Sequence, residues 1–137
     1  MGRSTDTAKA KGVMYGLAIG DALGYPTEFM TLDLIESEYG PRGITDLPDP
    51  ALFSDDTQMS VAIAEALVKA GEMDIESIMT AVRDEFIKWS HLPETYTKAP
   101  GNTCLKGVAN LERGLHWTKT GNLEAYRLWM LASHLRF

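Results

Sequence analysis

The apolar residues Ile75, Ile78, Met79, Val82, Phe86 and Trp89 recur at three- and four-residue intervals, which lines them up along one face of a helix. No segment of the chain alternates apolar and polar residues with period two for long enough to build a strand. Together these patterns restrict the chain to an all-α fold. At this spacing Met79 and Trp89 are core positions, not the walls of a cofactor pocket.

The remaining helices follow from their punctuation. Asp6 or Thr7 is placed to cap a helix from about Ala8 to Leu23, which Gly24 and Pro26 stop. Within it, Gly12, Gly16, Gly20 and Gly24 recur every four residues, and such costly helix residues in a row imply close approach of another backbone or a ligand. Their spacing is not that of a dinucleotide-binding turn. Asp21 beside them is either a partner supporting a buried site or a cap near the end of its own helix. Tyr25 to Phe29 reads as an extended turn carrying Glu28, and a second helix covers Leu32 to Tyr39 with Gly40-Pro41 as its stop. Residues 43–53 form a loop that delivers the chain to Ser54.

From Ser54 a helix places Met59, Ile63, Ala66 and Leu67 on one face and ends at Gly71. Asp74 caps the next helix. After a polar loop over residues 91–100, Asn102 or Thr103 caps a helix that Gly114 stops, and Asn122 opens a last helix through Leu123, Tyr126, Met130 and Leu131.

At 137 residues with 45% hydrophobic and 23% charged residues, the chain suits one soluble domain with a single core. A net charge of −6 argues against nucleic-acid binding, which needs clustered Lys and Arg. The apolar stretch from Val13 to Leu23 is broken by glycines and an acid and is too short to span a bilayer, so no membrane association is expected. One cysteine, Cys104, excludes an internal disulfide and fits a cytoplasmic location. The histidines His91, His116 and His134 are far apart in sequence and from Cys104, leaving a Cys-His nucleophile without local support.

The chemistry concentrates in Ser54-Asp55-Asp56-Thr57, where adjacent carboxylates are flanked by hydroxyls at a helix start. As a cap, Ser54 followed by first-turn acids complements the helix dipole. As ligands, the same groups are hard oxygen donors suited to Mg²⁺, Mn²⁺ or Ca²⁺. Consecutive residues on a helix diverge by about 100°, so Asp55 and Asp56 address neighbouring ions more readily than one ion.

Three segments together resemble the ADP-ribosylglycohydrolase family: Gly16-Leu17-Ala18-Ile19-Gly20-Asp21-Ala22-Leu23-Gly24, Phe53-Ser54-Asp55-Asp56-Thr57-Gln58-Met59, and Ala99-Pro100-Gly101-Asn102-Thr103-Cys104. The resemblance runs from about Val13 to Gly121 and implies the N-terminal portion of an orthogonal all-α domain. It also implies a centre of two Mg²⁺ (or Mn²⁺) ions and hydrolysis of the glycosidic bond that holds ADP-ribose to a protein side chain or small molecule. Ser54, Asp55 and Asp56 match the family's first group of metal ligands, with Ser where Thr is common. Glu28 matches a glutamate near the metals and the attacking water. Gly101, Asn102 and Thr103 match a loop close to bound ADP-ribose.

One departure stands against these matches. The family completes its metal centre with an Asp-x-Asp-Thr cluster far down a longer chain, and this sequence contains no Asp-x-Asp. The segment after Gly121 is also bulky where the family has small residues. The expectation is a single, incomplete domain over 1–137, a truncated, frameshifted or split copy of such an enzyme. Alternatives to a working hydrolase are an inactive ADP-ribose-binding module and a helical remnant, and unpartnered apolar helix faces would favour self-association.

Overall fold

The computed structural model describes residues 2–72 and 74–121, with side chains from Asp6 onward. Among the described residues there are α-helices α1 (Gly2–Gly24), α2 (Leu32–Tyr39), α3 (Asp55–Ala70), α4 (Ile75–Ser90) and α5 (Asn102–Glu112), three short 3₁₀ turns and no strand. The all-α expectation holds. The helix expected from Asn122 lies outside the described residues. The chain divides into two compact units, the first comprising Met1–Val61 and the second beginning at Ala62.

In the first unit α1 starts earlier than its caps suggested, and Asp6 and Thr7 lie inside it. The strong helix formers Ala8, Lys9, Ala10 and Lys11 that follow carry the helix back toward Gly2. Among the described residues the glycine row meets no neighbouring backbone: a Cβ built at Gly12, Gly16, Gly20 or Gly24 finds nothing within 4 Å. Residues Tyr25–Thr27 form a 3₁₀ turn, not an extended one. The Thr27 hydroxyl donates to the Gly24 carbonyl at 3.0 Å, and the Met30 N–H donates to the Thr27 carbonyl at 3.0 Å. That coil fixes Glu28, which follows it in right-handed helical geometry. Thr31 caps α2 by accepting the Leu34 N–H at 3.4 Å, and Gly40 ends it with φ at 81°, a conformation that costs glycine little.

The second unit is organised by α4 and α5, which pack on each other. Val82, Glu85 and Trp89 of α4 and Val108 and Leu111 of α5 are buried, whereas Ile75, expected on the core face, is 58% exposed. Asp74 caps α4 as expected, accepting the N–H groups of Glu76 and Ser77 at 3.0 and 3.1 Å. On α3 the buried positions are Ala62, Ala66 and Ala70. Ile63 and Leu67, placed in the core from sequence, are 40% and 49% exposed. The packed stripe is the small-residue one, because alanine lets a neighbouring backbone approach where branched side chains would hold it off.

Glu85 is the unforeseen member of the buried stripe. Lys69 of α3 donates a hydrogen bond to its carboxylate, and Lys88 lies 3.4 Å away. The Lys69 bond, acting against the burial of the group, holds the Glu85 carboxyl below the usual glutamate range. The polar loop after α4 is tied to the same core. Thr95 is fully buried, and its hydroxyl donates to the Trp89 carbonyl.

Candidate active site

The helix start at Ser54 is built by two chain segments. Ser54 itself acts as a cap, its hydroxyl accepting the Asp56 N–H at 3.1 Å. Asp21 of α1 does the rest. Its Oδ2 accepts the Ser54 N–H at 2.9 Å and the Thr57 N–H at 3.1 Å, and the Thr57 hydroxyl also donates to it. In a capping box the residue at the third helical position reaches back to the cap residue's N–H. Here a carboxylate from α1 serves the cap N–H and the third N–H together. Ser54, Asp55 and Thr57 are buried around this junction, and the only buried apolar residue of the first unit among those described is Ala22, next to Asp21. The interior of this unit is therefore a polar knot.

Electrostatics follow from that packing. Burial alone would raise the Asp21 carboxyl, but the hydrogen bonds from Thr57 and Ser54 outweigh it and leave the group below the usual aspartate range. Asp21 is thus held ionised as a fixed anchor. Glu28 moves the other way, pushed up first by desolvation and then by the charges of Asp55, Asp56 and Asp21. Every charge that shifts Glu28 is an acid, so the cluster has an unbalanced negative field at Glu28.

The structure brings Ser54, Asp55, Asp56 and Glu28 into one neighbourhood of the first unit, with Asp55 buried and Asp56 and Glu28 exposed. Gly101, Asn102 and Thr103 belong to the second unit. There Gly101 occupies the cap position of α5 without a side-chain hydrogen bond, so neither Asn102 nor Thr103 caps the helix as expected. Both are exposed in its first turn. The sequence reading left the role of Asp21 open and gave Thr57 none beyond a flanking hydroxyl. The signal that was available is the position of Thr57, three residues after the cap, where a side chain ordinarily closes a capping box.

As a cation site the residues fit in kind but not in number. Ser54, Asp55 and Asp56 offer the hard oxygen donors that Mg²⁺ or Mn²⁺ takes, and the field at Glu28 favours positive charge. Yet among the described residues no three His, Cys, Asp or Glu side chains converge closely enough to hold an ion by themselves.

The sign of these shifts gives a testable pH dependence. Asp21 contributes stability that is present above its unfolded pKa and is lost as pH falls through its lowered folded value. For Glu28 the order reverses: stability is greatest when it is protonated and declines as pH rises through its raised folded value. Glu28→Gln should therefore raise the melting temperature at neutral pH, and the gain should vanish in acid, where wild-type Glu28 is protonated. Melting curves for both proteins across that range test it; a gain that persists in acid would contradict the electrostatic origin.

The chain is thus all-α, with an acidic helix start held by an aspartate from another helix, and comparison with known proteins assigns its family. The ADP-ribosylglycohydrolase family profile matches residues 3–133. The chain belongs to that family. It is 33% identical over 121 residues to ADP-ribosylarginine hydrolase Tri1 of Serratia proteamaculans, covering 85% of this chain and 31% of the relative. It is 36% identical over 105 residues to the ADP-ribosyl-[dinitrogen reductase] glycohydrolase of Rhodospirillum rubrum, covering 73% and 33%. An uncharacterized protein of Archaeoglobus fulgidus is 32% identical over 120 residues, covering 82% and 37%. The chain thus spans about a third of the length of the curated relatives it matches. No solved structure matches significantly.

Proposed function

We propose that this chain carries part of a metal-dependent ADP-ribosyl hydrolase site, acting on the glycosidic bond between ADP-ribose and a protein side chain. The named relatives are an ADP-ribosylarginine hydrolase and a glycohydrolase for ADP-ribosylated dinitrogen reductase, which supports an ADP-ribosylated protein as the substrate. The observation that carries the reading is the Asp21 anchor, which sets Ser54, Asp55 and Asp56 at a fixed helix start beside Glu28.

In this reading Ser54, Asp55 and Asp56 hold Mg²⁺ or Mn²⁺, with water completing the shell. The bound ions would supply charge neutralisation and orientation of the ribose hydroxyls or of the attacking water. Glycosidic cleavage passes through an oxocarbenium-like ribose and needs a group to manage the water's proton. Glu28, whose raised proton affinity moves it toward neutral pH, takes that proton or delivers one to the leaving group. Asp21 touches no reacting atom and works by position. Gly101, Asn102 and Thr103 are assigned to nucleotide contact by their match to the family's loop near ADP-ribose. No described helix is long and apolar enough to cross a membrane, and one cysteine in the sequence supports a cytoplasmic location.

The absence of an Asp-x-Asp cluster from the sequence favours a second reading, in which this chain by itself binds ADP-ribose without turning it over. Only interactions stronger in the transition state accelerate a reaction, and a metal held by part of its ligands is poorly fixed against the ribose. Release of free ADP-ribose from an ADP-ribosyl-arginine peptide in Mg²⁺ should therefore be slow or absent for this chain and unaffected by Asp56→Ala. Robust turnover that disappears in Asp56→Ala would overturn the partial-site argument and leave the hydrolase assignment standing.

A further inference from the structure

The second unit contains a cavity of about 190 Å³, open to solvent, between α4 and the turn that follows α5. Its α4 wall is Glu76, Met79, Thr80 and Arg83, which share one helix face because they recur at three- and four-residue steps. The opposite wall is made where α5 ends. Gly114, with φ at 86°, donates its N–H to the Leu111 carbonyl at 3.0 Å, and the Leu115 N–H donates to the Asn110 carbonyl at 3.0 Å, a pair of bonds that closes the helix and reverses the chain. The reversal brings Leu115, His116 and Trp117 to the cavity. There the Trp117 indole N–H donates to Glu76 Oε2 at 3.1 Å, and His116 Nε2 meets the same oxygen at 3.3 Å. The Thr118 N–H donates to His116 Nδ1 at 3.5 Å, so Nε2 carries the proton that Glu76 accepts.

We infer that this cavity binds a free α-amino acid with an apolar side chain. Two opposite charges line it without pairing with each other. Glu76 and Arg83 stand two turns apart on α4, roughly 10 Å along its axis. Glu76 holds the two rings, and Arg83 donates through Nε and Nη2 to the adjacent Asp84 at 3.0 and 2.8 Å. These bonds use one oxygen of Glu76 and two nitrogens of Arg83, which leaves Oε1 and Nη1 for a ligand. A molecule that carries both an ammonium and a carboxylate satisfies the two groups together, the ammonium at Glu76 and the carboxylate at Arg83. A ligand with one charge leaves the other group unmatched. Asp84 does not line the cavity, so it does not draw the ammonium away from Glu76.

The rest of the wall selects the side chain. Met79, Leu111 and Leu115 are apolar and Trp117 adds a ring, and Leu111 is buried, so a branched aliphatic group leaves water on entering. Size agrees: at about 30 Å³ for each liquid water, the cavity has the volume of roughly six waters, which suits an amino acid and is too small to enclose a nucleotide. No residue of the acid cluster at Ser54 lines this cavity, and the inference stands apart from the hydrolase reading.

The test is an amide-shift titration of the full chain with L-leucine, then with leucinamide, N-acetyl-leucine and glycine, in metal-free buffer. Saturable shifts with leucine should centre on Glu76, Thr80, Arg83 and Leu115 and on the Trp117 indole N–H. Leucinamide lacks the carboxylate and N-acetyl-leucine the ammonium, so each should bind about tenfold more weakly, which also separates a free amino acid from a protein N- or C-terminus as the source. Glycine should bind more weakly than leucine. Arg83→Gln, an exposed substitution that leaves the fold in place, should weaken leucine about tenfold and leave leucinamide unchanged. Glu112→Gln, which removes an acid of the same unit outside the cavity, should leave leucine binding intact. The absence of saturable shifts with leucine, equal binding of either blocked form or of glycine, or full retention in Arg83→Gln would overturn the inference, and none of these outcomes bears on whether the chain binds Mg²⁺ or hydrolyses ADP-ribosyl bonds.

Discussion

Replacing Trp89 by alanine should cost about 3–5 kcal/mol, the range for deleting a large aromatic side chain from a packed core. Trp89 is only 3% exposed, and it sits where three pieces of the second unit meet. Its side chain belongs to the α4 stripe with Val82, and its carbonyl accepts the Thr95 hydroxyl and the Leu92 N–H, the latter at 3.1 Å. The cavity left behind cannot be refilled from Thr95, which is fully buried and already committed. Small domains have total stabilities of about 5–15 kcal/mol, so this loss should leave the second unit partly unfolded at physiological temperature. Denaturant unfolding followed by far-UV circular dichroism measures it. A cost under about 1 kcal/mol, typical of surface substitutions, would contradict the burial.

Asp21→Ala should cost about 2 kcal/mol, at the upper end for losing a helix cap, because one oxygen serves two N–H groups and a hydroxyl. Its diagnostic effect is local. Amide exchange should accelerate at Ser54 and Thr57 and across the first turn of α3, while the amides of α4 and α5 keep their protection. Asp21→Asn should retain part of the stability, since an amide oxygen still accepts hydrogen bonds but without the charge. Uniform acceleration across both units would mean that Asp21 is a general stability residue and not an anchor for one helix start.

Most of the fold was legible because helices announce themselves locally. The bounds of α2, the cap at Asp74 and the stops at Gly40, Gly71 and Gly114 follow from residues that act within a turn of where they sit, and the positive φ at each of these glycines shows why glycine was needed. The choice of buried face was less legible. On α3 the hydrophobic pattern pointed to Met59, Ile63, Ala66 and Leu67, of which Ala66 is buried while Ile63 and Leu67 are exposed, the packed stripe being Ala62, Ala66 and Ala70, and no local rule states which of two adjacent stripes finds a partner. Glu85 was hidden for a related reason, because its burial depends on Lys69, 16 residues away.

The site shows the same division. Ser54 was readable both as a cap and as a ligand, and its hydroxyl does cap, which leaves its other lone pair for a cation. The part played by Asp21 depends on a contact 33 residues distant, and nothing in the neighbourhood of Asp21 in sequence shows which N–H groups it will meet. The glycine row was expected to mark close approach of a backbone or a ligand, and among the described residues no backbone makes it, because a pattern can show that a close approach is permitted without showing what makes it.

The central claim is that the helix start held by Asp21 forms part of a hard-cation site. Titration of the chain with Mn²⁺, followed by electron paramagnetic resonance of the free ion, tests it most directly. Weak binding is expected, since Ser54, Asp55 and Asp56 supply only some of the six positions of an octahedral shell and water must fill the rest. Asp55→Ala should abolish it, and Mg²⁺ should compete. Binding that is unchanged in Asp55→Ala, or no binding at all, would contradict the claim, and a tight, saturable site for two ions would contradict the account of it as a partial ligand set.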